Sequence, residues 1–145
     1  MSVNLRTADF VDRIPAGIID ELIPGLAALF VGVLGLIVLL AGDSGALVAV
    51  GLVLLGLALL VDIALIVWNR VVLVVRTGQS IGKRVCGLQV VDATSGLPPS
   101  VGPALLRELV GRVAGVVSWL WVLIDDQDRS LADVAAGTIV VHQGG

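Results

Sequence analysis

The stretch "LIPGLAALFVGVLGLIVLLAG", Leu22 to Gly42, decides the class of this chain, because it holds no charged residue at all. A helix of about 20 apolar residues crosses the hydrocarbon core of a bilayer, and this run has that length. After a short turn, "GALVAVGLVLLGLALLV" runs from Gly45 to Val61 and continues past Asp62 to Trp68. The whole 145-residue sequence agrees, with 57% hydrophobic and 14% charged residues, where a soluble domain is usually about one quarter charged. The sequence predicts an all-α membrane protein organised as one domain over 1–145. Its expected parts are a first span at about 14–41, a second at about 46–69, a cytoplasmic segment at about 70–102, a third helix at about 103–124 and a tail at 125–145.

The flanks set the orientation. Ahead of the first run, Asp9 and Asp12 stand beside Arg6 and Arg13, which is not the purely basic start of a cleaved leader. The turn between the runs carries only Asp43, while Arg70, Arg76, Lys83, Arg84, Arg107 and Arg112 follow the second. Basic residues collect on the cytoplasmic side, so the amino terminus and the 70–102 segment are expected inside and Asp43 outside. Trp68 then anchors the inner interface. A single cysteine, Cys86, allows no internal disulfide and reads as an inert packed thiol.

Beyond the spans the pattern changes. Helix is expected from Gly45 to about Arg76. "TGQSIGKR" reads as a loop, since Gly78 and Gly82 punctuate it. "VCGLQVVDA" alternates and is β-branched, as is "GTIVVH" near the end, so the two form a candidate β-pair. Pro103 suits the first turn of the third helix. In that helix Leu105, Leu106, Leu109, Val110 and Val113 face one way and Arg107, Glu108, Gly111 and Arg112 the other, the pattern of a helix lying in the membrane interface. A single crossing would put the tail on the far side from "GLQVV" and forbid the β-pair; both topologies stand open.

The charges in "DRIPAGIID", Asp12 to Asp20, need an explanation, because a charge at membrane depth costs several kcal/mol. Arg13 and Asp20 are seven residues apart, so they share a helix face about 20° apart but lie roughly 10 Å apart along the axis. Each therefore needs a partner on another element. Asp62 lies about two turns in from Arg70 on the antiparallel second helix. It faces Asp20, or shares Arg112 with it. Two uses follow: a cation or proton site formed by Asp20 and Asp62, since close carboxylates share a proton, or an ion-pair network with Arg13, Arg107 or Arg112 that fixes helix packing. Packing is preferred. Ala28 and Gly32 form a small-xxx-small pair that suits close contact between the spans, and Pro24 bends the helix near Asp20.

Other chemistries lack their residues. His142 is the only histidine and lies in the tail, so neither a Ser-His-Asp arrangement nor a zinc site is expected. "GQSIGK" has the wrong spacing for a phosphate loop. Lys83 and Arg84 suit anionic lipid headgroups and the positive-inside pattern equally. Aromatic residues make up 3%, which speaks against a nucleic-acid surface. No cofactor is expected, and the chain reads as non-enzymatic.

Arg13, Asp20, "RTGQSIGKRVCGLQVVDATSG" and "RSLADVAAGTIVV" together resemble the RDD family of bacterial membrane proteins, over roughly Ala8 to Val141. The resemblance places the family's second aspartate on Asp133. It implies a bacterial inner-membrane location, and roles proposed for the family include cation/proton exchange and company with larger membrane systems. The expected function is a non-enzymatic accessory or packing subunit of a membrane assembly such as a transport system. Its partners would be the lipid bilayer and other membrane subunits or further copies of itself. The alternative is a homo-oligomeric cation/proton transporter using the intramembrane carboxylates. Orientation can be checked first. With Cys86 replaced, a cysteine at position 83 should react only from the cytoplasmic side, and labelling from outside would overturn the orientation.

Overall fold

A computed structural model of the chain describes residues 6–144. Helix α1 runs Phe10–Ala41, starting earlier than expected because Asp9 and Asp12 cap it reciprocally. The Asp9 carboxylate accepts from the Asp12 N–H at 2.9 Å, and the Asp12 carboxylate from the Asp9 N–H at 3.4 Å. The helix continues through Pro24, whose missing N–H leaves the Asp20 carbonyl without its helical donor. Helix α2, Gly45–Val67, passes through a π-helical turn at Trp68–Val72 into α3, Leu73–Thr77. Gly78, at φ 74°, ends it.

The segment expected to be a loop is helical. Gly78 does break the chain, but the Ser80 hydroxyl accepts from the Lys83 N–H at 3.4 Å and starts α4, Ile81–Val85. Gly82 sits inside α4 for a packing reason: a Cβ there would lie 2.1 Å from the Ala16 carbonyl oxygen. Strand β1, Leu88–Asp92, pairs antiparallel with β2, Thr138–His142, in the register Val90↔Val140. Thr7 bridges Val141, and the Ala8 N–H donates to the Val140 carbonyl at 2.9 Å. Ala8, Ala16, Val74, Leu88, Val90 and Val140 form the small buried core, with Cys86 packed partly buried against it.

This pairing resolves the conflict over the third helix. Residues 93–137 leave one strand and return to its neighbour, so they do not cross a membrane once. The helix expected over 103–124 is also broken. Helix α5 runs Val101–Ala114, Gly115 takes φ 50°, and α6 is only Val116–Leu120 before a 3-10 turn at Trp121–Leu123. Helix α7, Leu131–Ala136, leads into β2. The amphipathic α5 is inside out: Leu109 and Val113 are 63% and 89% exposed, whereas the Arg107 and Glu108 side chains are 17% and 15% exposed. An apolar face turned outward over a polar interior is the arrangement of a lipid-contacting segment.

By contacts the chain forms two compact units, one of residues through Asp20 together with those from Trp68 on, the other of Glu21–Val67. Two helical stretches, Phe10–Ala41 and Gly45–Thr77, are long and apolar enough to cross a membrane, and only 11% and 17% of their most apolar windows is buried. The core helix of a soluble protein would be mostly covered. Within Glu21–Val67 the closest approach lies beyond the expected Ala28–Gly32 pair. A Cβ on Gly32 would meet the Ala58 Cβ at an ordinary 3.7 Å, but one on Gly35 would lie 3.0 Å from the Leu54 Cβ and one on Gly51 2.8 Å from Leu39. Gly35→Leu and Gly51→Leu should therefore each destabilise the purified protein by about 1–3 kcal/mol through overpacking, while Gly32→Ala stays near wild type. Equal melting temperatures for all three variants would contradict this packing.

Candidate functional site

Two buried carboxylates organise the unit that contains the sheet. Asp133 is held first by its own helix. Ser130 caps α7, accepting from the Asp133 N–H at 3.1 Å, and the Asp133 carboxylate accepts the Ser130 N–H at 3.2 Å. The fully buried carboxylate then gathers donors from far along the chain. Its Oδ2 accepts from Arg13 Nη1 at 2.6 Å and from the Ser130 hydroxyl at 2.9 Å. Its Oδ1 accepts from Arg107 Nε at 2.6 Å and from the Thr138 hydroxyl at 3.1 Å. Arg13 is completed by the Ala8 carbonyl, 2.9 Å from Nε, and by the Asp128 carbonyl. Burial alone would raise the Asp133 pKa, but the charges of Arg107 and Arg13 and their hydrogen bonds outweigh it and hold the group well below the usual carboxylate range.

Asp20 is equally engaged. Its Oδ1 accepts from Asn69 Nδ2 at 2.9 Å and from the Gly82 N–H at 2.8 Å. Its Oδ2 accepts from the Ser80 hydroxyl at 2.5 Å and lies 3.5 Å from Lys83 Nζ. Asn69 stands in the π-helical turn, and its own oxygen accepts from the Ile81 N–H at 2.8 Å, so one side chain joins α1, the π turn and α4. The gap Gly82 leaves lets the α4 backbone reach Asp20. Lys83 is mostly buried. That burial, reinforced by the Arg107 charge and opposed by Asp20, draws its ammonium down to about 8.

Arg13 and Asp20 thus have separate partners. Lys83 occupies the place expected for Arg112 beside Asp20. Arg112 instead donates to Glu108 one turn back at 2.8 Å, where the i,i+4 spacing favours it, and Glu108 also lies 3.6 Å from Arg70. Asp62 belongs to Glu21–Val67, the other unit, and is not among the hydrogen-bond partners of Asp20. Ala28 and Gly32 belong to that unit as well. Asn69, Ser80 and Thr138 went unnoticed in the sequence, although an asparagine in an apolar helix and a Ser-x-x-Asp cap at Ser130 are legible signals.

Beside Asp20 lies a cavity of about 90 Å³, bordered by Arg13, Asp20, Ser80, Lys83 and Arg107. The sequence profile of the RDD family matches residues 7–137, a range that takes in Arg13, Asp20 and Asp133. The chain belongs to the RDD family. No curated protein and no solved structure matches it. Membership makes this a membrane protein of that family, with the arginine and two aspartates expected from the resemblance all inside the matched range.

Asp133→Asn should cost about 3–5 kcal/mol, because it strands two buried arginines. The acid response carries the sign. A folded pKa below the unfolded value of about 3.9 contributes stability that is complete above about pH 4 and fades as pH falls further. Asp133→Asn should lose that part of the acid sensitivity. A variant with wild-type stability and an unchanged acid limb would contradict the clamp.

Proposed function

We propose that this RDD-family chain is a non-enzymatic accessory subunit of a larger membrane assembly, and that its buried charges serve folding and packing. One observation supports this most: both oxygens of Asp20 and of Asp133 are already filled by donors from distant segments. A carboxylate that picks up and releases ions must shed donors in each cycle. Here that would break a buried network whose partners are left uncompensated. The arginines and lysine around the sheet support a cytoplasmic placement for that unit by the positive-inside rule. The location is then the bacterial plasma membrane with the amino terminus inside. Outward-facing Leu109, Val113 and Val116, all more than half exposed, suit contact with lipid or with another membrane subunit.

The test pairs composition with flux. Wild-type protein purified in mild detergent should bring a reproducible set of membrane proteins, identified by mass spectrometry. Asp20→Asn should lower the amount of folded protein recovered, and no sodium- or pH-dependent flux should appear in reconstituted vesicles. If Asp20→Asn folds and assembles normally but abolishes such a flux in wild type, a cation/proton transporter replaces this function.

A further inference from the structure

The walls of the cavity beside Asp20 carry more charge than packing explains. Four cations border it, Arg13, Arg70, Lys83 and Arg107, against two carboxylates, Asp20 and Glu108. Asp133 lies behind the wall, bonded to Arg13 and Arg107. Even with it counted, positive groups outnumber negative ones. A cavity with charged walls does not stay dry, and about 90 Å³ holds more than one water. A cation entering it meets net repulsion. An anion meets the opposite.

The donors for an anion are in place. Lys83 Nζ has only long contacts, 3.4 Å to the Ser80 hydroxyl and 3.5 Å to Asp20. Among the described contacts, Arg107 reaches Asp133 through Nε alone, so the terminal amino groups of its fork remain available. Ser118, 1% exposed, accepts from the Ala132 N–H at 3.0 Å and keeps its hydroxyl proton to give. Trp119 and Val122 supply an apolar wall beside these donors. Guanidinium and ammonium groups converging with a hydroxyl suit a tetrahedral oxyanion.

We propose that this cavity binds a phosphate group, either free phosphate or the headgroup of an anionic phospholipid, between Lys83, Arg107 and Ser118. The ligand sits where the Lys83 and Arg107 charges now repel each other, and its negative charge relieves that repulsion. This site does not depend on whether the chain is an accessory subunit or a transporter.

The experiment uses full-length protein and follows thermal unfolding by tryptophan fluorescence. One arm compares sodium phosphate with sodium chloride at matched ionic strength in detergent. The other compares bilayers of phosphatidylcholine alone with bilayers containing phosphatidylglycerol. A ligand that binds only the folded state raises the melting temperature with concentration. Wild type should be stabilised by phosphate beyond chloride, by phosphatidylglycerol, or by both, and stabilisation in the lipid arm alone identifies a headgroup. Lys83→Met should weaken the apparent affinity about tenfold or more, while the exposed Arg84→Gln keeps it. Should Lys83→Met fail to fold, Ser118→Ala, which changes no charge, should still weaken it several-fold. The proposal is overturned if neither arm stabilises wild type, or if Arg84→Gln loses the effect as fully as the cavity variants.

Discussion

A carboxylate with no exposure to water, Asp133, lies between Arg13 and Arg107 at 2.6 Å each. An ionised carboxylate in such surroundings persists only when its charge and its lone pairs are matched. Matching it here recruits the start of α1, the middle of α5, the cap of α7 and the first residue of β2. Those four places are therefore fixed against one another by one group. The β-pair, the bridge from Thr7 to Val141 and the small apolar core fill the space the clamp defines. With so few buried apolar side chains, the polar network has an unusually large share in specifying this unit.

The same constraint explains the inverted α5. A helix whose charged face points inward and whose valines and leucines point outward would be unfavourable in water. It becomes favourable where lipid covers the outside and the charges find each other within. Arg107 and Glu108 are thus not a solvated face, the usual reading of such a stripe, while Arg112 stays exposed at its edge. The break at Gly115 then lets the apolar side continue through Val116 and Val117, which are 71% and 60% exposed, without lengthening into a span.

What the sequence disclosed followed from local rules. Two apolar runs and the alternation in "GLQVV" and "GTIVV" depend on near neighbours, and both were legible. So was the need for outside partners for Arg13 and Asp20, because seven residues of helix fix their separation. The identity of those partners was not legible, since nothing local links Asp20 to Lys83 or Arg13 to Asp133 beyond the family resemblance. Gly82 misled for a similar reason. It reads as a breaker, yet it lies within a helix because the Ala16 carbonyl leaves no room for a side chain. Gly115 misled in the opposite direction, as hydrophobic continuity from Leu105 to Ile124 concealed a true interruption. Asp62 looked paired by depth alone, and depth says nothing about which unit a residue joins.

The sequence distance between Arg13 and Asp133, 120 residues, has a consequence for biosynthesis. A ribosome adding about 5–20 residues per second needs roughly 6–24 s to cover that distance. Throughout that interval the arginine at the mouth of the first helix lacks Asp133, its partner in the finished fold. Both apolar helices emerge before the clamp can close, and β2, which Thr7 and Ala8 must also reach, emerges last. The nascent chain must therefore keep Arg13 hydrated at the membrane surface while the helices insert. The unit around the sheet can only be completed from the carboxyl end. A ribosome that stops short of Asp133 leaves behind two apolar helices and an Arg13 without its buried partner.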